Sequence, residues 1–184
     1  MVPSRQAIFL LSAGYGTRLQ PVTDYLAKPL FSVKGQTLLG RHIHHLQDLK
    51  LPIFINIAYH PNAMLAYLSQ FSSHVEVIFE PEPMGVAASL RRFVSLKRDF
   101  DTVLLISSDL YLESYRELLS LSRQNEPFVG IDCDYAGISL IRTEDLEKEK
   151  LNNFREFFNF MKAHYKNVQI KKTYNVGTLQ VANS

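Results

Sequence analysis

The chain has 184 residues, 46% hydrophobic and 21% charged, proportions that suit one globular domain and exclude a disordered polymer. Its formal net charge of +2 is too small for a nucleic-acid surface, and Lys162, Lys166, Lys171 and Lys172 read as a solvated face rather than an RNA patch. A single cysteine, Cys133, excludes an internal disulfide framework and the Cys-rich zinc patterns; no stretch approaches the roughly 20 apolar residues of a membrane helix, so a cytoplasmic protein without a membrane partner is expected.

In chain order, Ala7–Leu11 reads as a buried strand and Thr37–Leu49 as a helix, with Leu38, Leu39, His42, Leu46 and Leu49 near helical spacing. Ile53–Ala58 reads as a strand, Asn62–Phe71 as a helix, Val75–Phe79 as a strand and Gly85–Lys97 as a helix. Thr102–Ile106 is a strand rich in β-formers, and Leu112–Ser122 follows as a helix. Beyond it, Val129–Asp132 and Gly137–Ile141 read as strands, Leu151–Tyr165 as a helix, and Val168–Ile170 as a last strand. Nothing marks a linker, so residues 1–184 are expected to form a single domain.

This alternation predicts an α/β fold, a Rossmann-like three-layer α/β/α arrangement around a mainly parallel, mixed central sheet. Ligands of such sheets bind beyond the carboxyl ends of the strands. That rule marks the segments after Leu11, Phe79 and Ile106.

Ser12-Ala13-Gly14-Tyr15-Gly16-Thr17-Arg18-Leu19 follows the first strand directly. Glycines let the backbone approach a phosphate, and successive N–H groups can then point at the anion. Thr17 adds a hydroxyl, and Arg18 a fork matched to phosphate oxygens. The dinucleotide fingerprint fails because Leu19 stands where its third glycine belongs, and the Gly-Lys-Ser/Thr of a P-loop is absent. A tight turn with a surface arginine is the competing reading. Lys28 lies beyond a proline-bearing turn, so a returning loop would bring both cations to one polyphosphate, as phosphoryl chemistry requires.

Leu11-Ser-Ala-Gly-Tyr-Gly-Thr-Arg-Leu-Gln-Pro-Val-Thr23, followed by Lys28-Pro29-Leu30, resembles the signature of the sugar-1-phosphate nucleotidyltransferases. That family includes mannose-1-phosphate guanylyltransferases and N-acetylmuramate-1-phosphate uridylyltransferases. Ile55-Asn56-Ile57-Ala58-Tyr59 is similar to the family's second strand, and the likeness runs from Phe9 to about Tyr111.

The resemblance implies the nucleotide-diphospho-sugar transferase type of fold. It also implies transfer of NMP from an NTP to a phosphorylated acceptor, a sugar-1-phosphate, with release of pyrophosphate. Leu11, Ala13, Gly14, Gly16, Thr17, Arg18, Glu80 and Gly85 would bind the nucleotide. Arg18 would steady the leaving phosphates, Lys28 would bridge the acceptor and α-phosphates, and Asp109 would hold Mg²⁺, whose needs a strand-end carboxylate suits. Glu80-Pro-Glu-Pro-Met-Gly85 is nearest the guanylyltransferase version of its segment, so Glu80 or Glu82 would accept the N–H groups of guanine. A helix start with acids near its positive end is the alternative for that segment, and an ordinary turn aspartate the alternative for Asp109.

Two departures stand out. Tyr174-Asn175-Val176-Gly177-Thr178 is similar to the family's Trp-x-Asp-Ile-Gly-Thr, but Asn175 replaces the second metal-binding aspartate and weakens the site. Asp132 or Asp134 would have to compensate. The family's Gly-Glu-Lys-Pro-like stretch, which contacts the sugar phosphate, has no counterpart here, and Ala136-Gly137-Ile138 resembles the strand that follows it. These departures motivate one alternative, a nucleotide-binding regulatory homologue with weakened catalysis. Another is transfer of CMP to phosphocholine or GMP to a pterin cofactor. His42, His44 and His45 read as a packed or surface helix rather than a zinc site. Phe154, Phe157, Phe158, Phe160 and Met161 read as core and dimer surface, so a homo-oligomer is expected.

Overall fold

The computed structural model describes residues 5–132, 134–148, 153–170 and 173–175. Its elements are β1 (Gln6–Leu11), β2 (Ser32–Val33), β3 (Gln36–Thr37), α1 (Leu38–Leu46), β4 (Ile53–Ile57), α2 (Pro61–Leu68), β5 (Val75–Phe79), α3 (Val86–Leu96), β6 (Thr102–Ser107), β7 (Leu110–Leu112), α4 (Arg116–Gln124), β8 (Phe128–Asp132), β9 (Asp134–Arg142), α5 (Thr143–Lys148), α6 (Phe154–His164), β10 (Lys166–Gln169) and β11 (Thr173–Asn175). Seven strands form the main sheet in the order β10-β8-β9-β6-β1-β4-β5. Neighbours run parallel except at β9, which is antiparallel to both β6 and β8. The sheet is therefore mixed and mainly parallel.

The centre of the sheet follows from the near-continuous apolar run of β1, in which Ala7, Ile8, Phe9 and Leu10 are fully buried, as expected for a strand covered on both faces. Its side chains alternate between two cores. Ile8 and Leu10 meet Leu39, Ile43 and Leu46 of α1, Met64 and Leu68 of α2, and Leu118 of α4. Ala7 and Phe9 meet Leu90, Phe93 and Val94 of α3, Leu146 of α5, and Phe157, Phe158 and Met161 of α6. Phe9 stacks on Phe93 with ring centroids 4.7 Å apart. Each such side chain contributes about 1.5–3 kcal/mol on burial. Helices thus cover both faces, giving the expected three layers.

Local signals set several boundaries. Thr37 caps α1, its hydroxyl oxygen accepting from the Gly40 N–H at 3.0 Å. The helix expected from Leu112 instead begins at Arg116, because Leu110–Leu112 is a strand paired antiparallel with β11. Arg41 holds that strand, donating from Nε (3.1 Å) and Nη2 (2.9 Å) to the Leu112 carbonyl. Phe157, Phe158 and Met161 are spent on the intrachain core. Cys133, Leu151, Val176, Gly177 and Thr178 lie outside the described residues. Among the described residues, no helix is long and apolar enough to cross a membrane.

Candidate functional site

A cleft of about 400 Å³ opens at the carboxyl ends of the central strands. One wall is the loop after β1, from Ser12 to Thr17; a second is Pro83–Val86 with Ser89; a third is Ser107, Ser108 and Asp109. Lys28 and Pro29 enter from a short helical turn, and Asn56 comes from the end of β4. All three segments that the strand-end rule marks therefore border one space.

Of the expected site residues, Leu11, Ala13, Gly14, Gly16, Thr17, Lys28, Gly85 and Asp109 line the cleft. Arg18 is exposed on the turn Thr17–Leu19 and stands outside that lining set. Glu80 is buried at 5% exposure and sits behind the wall rather than on it; Glu82 is exposed and also outside the lining set. Asn175 is described by its backbone alone, and β11 sets it opposite Leu110, the residue after Asp109. Asp132 and Asp134 are paired in the backbone register of β8 and β9.

The loop is shaped by its glycines and by ties to neighbouring strands. Gly16 has φ +68° and its carbonyl accepts from the Thr23 hydroxyl at 3.1 Å. A Cβ on Gly16 would lie 2.8 Å from Thr23 Cγ2, so glycine is required there for both space and conformation. Gly14 and Gly85 differ: a Cβ at either would meet no atom within 4 Å, because both border the open cleft. Leu11 is anchored by Ser108, whose N–H (3.0 Å) and hydroxyl (2.6 Å) both donate to the Leu11 carbonyl. Gly85 and Val86, at the N-terminal and therefore positive end of α3, also line the cleft.

The Lys28 ammonium forms an ion pair with the Asp109 carboxylate, and both side chains are mostly buried, at 18% and 15% exposure. The carboxylate a cation would need is present, already neutralised by a cation of the chain. Among the described residues no group of three His, Cys, Asp or Glu could hold a metal. A single strand-end carboxylate lining the cleft is a donor set that suits an ion completed by substrate phosphates, the usual habit of Mg²⁺.

Ser12, Ser89, Ser107 and Ser108 also line the walls, beside the residues expected there but outside the expected set. Asn56, equally absent from the expected set, does carry a readable signal, an amide within the apolar strand Ile53–Ile57. It is 1% exposed; its Oδ1 accepts from the Ser12 N–H at 2.7 Å and its Nδ2 donates to Glu80 Oε1 at 2.8 Å. The hydroxyl of Ser12 and Oε2 of Glu80 are buried with no hydrogen-bond partner among the described residues. Beside β7, His42 of α1 is fully buried, with Nδ1 2.8 Å from the Tyr115 hydroxyl. Burial lowers the His42 pKa to about 4 and raises that of Tyr115.

Comparisons with known proteins agree with this fold. The sequence profile described as "Nucleotidyl transferase" matches residues 7–133. A mannose-1-phosphate guanyltransferase of Pichia angusta is 32% identical over 117 residues, covering 60% of this chain and 32% of the relative. The bifunctional protein GlmU of Methanococcus maripaludis is 25% identical over 164 residues, covering 84% of this chain and 38% of the relative. The chain spans about a third of the length of these relatives. Among solved structures, the CTP:phosphocholine cytidylyltransferase of Streptococcus pneumoniae shares the fold with a TM-score of 0.68 at 19% identity, over 96% of this chain and 95% of that one. With a glycine loop, a lysine and a strand-end aspartate around one cleft, and most of its length under the family profile, the chain belongs to the nucleotidyl transferase family.

Proposed function

We propose that the protein transfers NMP from an NTP to a phosphorylated small-molecule acceptor, a sugar-1-phosphate, forming an NDP-sugar and pyrophosphate. The observation that carries this reading is the meeting of Lys28 and Asp109 beside the glycine loop. In the reaction an acceptor phosphate oxygen bonds to the α-phosphorus, and the bond to the β-phosphate breaks in line. The acceptor is already ionised, so no strong general base is needed. The backbone of Ala13–Thr17 receives the triphosphate, and Arg18 reaches the leaving phosphates from the rim. Lys28 exchanges Asp109 for the acceptor and α-phosphates. Asp109 would hold Mg²⁺, with Asn175 as the neighbouring neutral ligand; when bound, the ion supplies positive charge against the charge developing on phosphate oxygens.

GTP is the proposed donor, supported by the guanylyltransferase-like Glu80–Gly85 segment and by the Pichia angusta relative. A second reading, a nucleotide-binding regulatory protein, draws on Asn175 where the family carries a charge. Phosphocholine as acceptor draws on the fold shared with the cytidylyltransferase. A cytoplasmic setting belongs to the same proposal. The test is pyrophosphate release with Mg²⁺, using ATP, GTP, CTP, UTP and dTTP against sugar-1-phosphates and phosphocholine. Release with GTP and a sugar-1-phosphate supports the first reading, and release with CTP and phosphocholine replaces it. Silence with an NTP still raising Tm favours the regulatory protein.

A further inference from the structure

The one polar side chain of β4 joins two cleft walls. Asn56 is opposite Leu11 of β1 and Ile78 of β5 in the sheet register. The ladder of β1 ends at Leu11, and the next N–H, that of Ser12, is taken by Asn56 Oδ1 at 2.7 Å. On the other side, Asn56 Nδ2 donates to Glu80 Oε1 at 2.8 Å, just past the end of β5. Glu80 is itself fixed by its N–H, which donates to the Ile57 carbonyl at 2.9 Å. An amide offers its oxygen to an N–H and its NH₂ to a carboxylate; the flipped amide would set donor against donor and acceptor against acceptor. The two partners therefore dictate a single orientation. Asn56 is 1% and Glu80 5% exposed, so water does not compete for these bonds, and a carboxylate acceptor strengthens them.

We infer that Asn56 is a positioning residue for polyphosphate, with Glu80 as the anchor that orients its amide. Ser12 begins the loop whose N–H groups would cradle phosphate, and Glu80 begins the segment that leads to Gly85 at the start of α3. One side chain thus sets the angle at which the loop leaves β1 and ties it to the opposite wall. This inference rests on the nucleotidyl-transfer reading and deepens it: the buried carboxylate acts through Asn56 on the phosphate loop.

Asn56→Asp tests it with almost no change of shape. The new carboxyl faces Glu80, and two carboxylates at that distance resist ionising together, sharing one proton until a raised pH removes it. With one shared proton the bridge survives, because a protonated carboxyl still donates to Glu80 and accepts from Ser12. At higher pH it breaks. The double variant Asn56→Asp/Glu80→Gln restores a donor opposite an acceptor with no proton required. The probe is Mg²⁺-tripolyphosphate, which carries no base, titrated calorimetrically at pH 5.5 and pH 8 on full-length proteins shown to be folded.

Relative to the parent at the same pH, Asn56→Asp is expected to bind about tenfold more weakly at pH 8 and near normally at pH 5.5. The double variant is expected to recover at both. Unchanged affinity of Asn56→Asp at pH 8 with a lowered Tm would mean a purely packing role and overturn the inference. So would failure of the folded double variant to recover. If the parent itself does not bind tripolyphosphate, the phosphate-site reading falls and takes the inference with it.

Discussion

The ammonium of Lys28 rests on the carboxylate of Asp109, so a cation and an acid that both line the cleft neutralise each other. Lys28→Met breaks this pair in a way two measurements distinguish. Pyrophosphate release is expected to fall at least about 100-fold, since a clamp on developing phosphate charge is lost. Mn²⁺ binding to the nucleotide-free protein, followed by electron paramagnetic resonance, is expected to tighten several-fold, because the competing cation has gone.

Two glycines of the phosphate loop should respond differently to alanine. At Gly16 the φ of +68° and the approach to Thr23 Cγ2 at 2.8 Å should cost about 1–2 kcal/mol of stability, read from urea unfolding. At Gly14 a Cβ meets nothing within 4 Å, so Gly14→Ala should leave stability within about 0.5 kcal/mol of the parent. Its methyl group would intrude on the ligand, and NTP affinity should fall about tenfold or more.

The buried His42 should make the fold acid-sensitive. Its folded pKa of about 4 lies below the ordinary 6.5, through burial first and then the Arg41 and His45 charges, with the Leu110 backbone acting the other way. The unfolded chain therefore takes up a proton that the folded one refuses. Stability from this group is complete above pH 6.5 and falls as pH drops from 6.5 to about 4, by about 3 kcal/mol in all. His42→Asn should remove that part of the slope when unfolding free energies are compared with the parent between pH 8 and pH 4.

Among nucleotides, GTP should raise Tm most. At a concentration 100-fold above its Kd the stabilisation is about 2.7 kcal/mol, a shift of several degrees for a domain of this size. A larger shift with UTP or CTP in a thermal-melt panel would replace guanine as the favoured base.

Much of this architecture is legible in the order of the residues. Val75–Phe79 forms the strand its composition announces, and the buried run of β1 lies mid-sheet as its apolarity demands. Elements fixed by distant partners are not legible in that way. Leu112 reads as the start of a helix until β11 and Arg41 are there to hold Leu110-Tyr111-Leu112 extended. The same holds at the site. Lys28 and Asp109 each stand out singly, yet their contact depends on β6 docking beside β1. Asn56 is a polar residue in an apolar strand, but its two partners lie beyond the ends of other strands. Nothing in the residues around Glu80 shows that Asn56 stands between it and the cleft.

The central place of β1 has a consequence for the order in which the molecule takes shape. β1 is made well before its partner β6, which arrives only at Thr102–Ser107, with Leu11 set against Ser107. Until then one side of β1 is an open edge, and Lys28 has no Asp109 to meet. Parallel pairing over such a separation is slow compared with local helix formation. On the proposed function, competence to hold a nucleotide would mark the closing of the sheet, and a fluorescent NTP analogue added during refolding would report a late step rather than the first collapse.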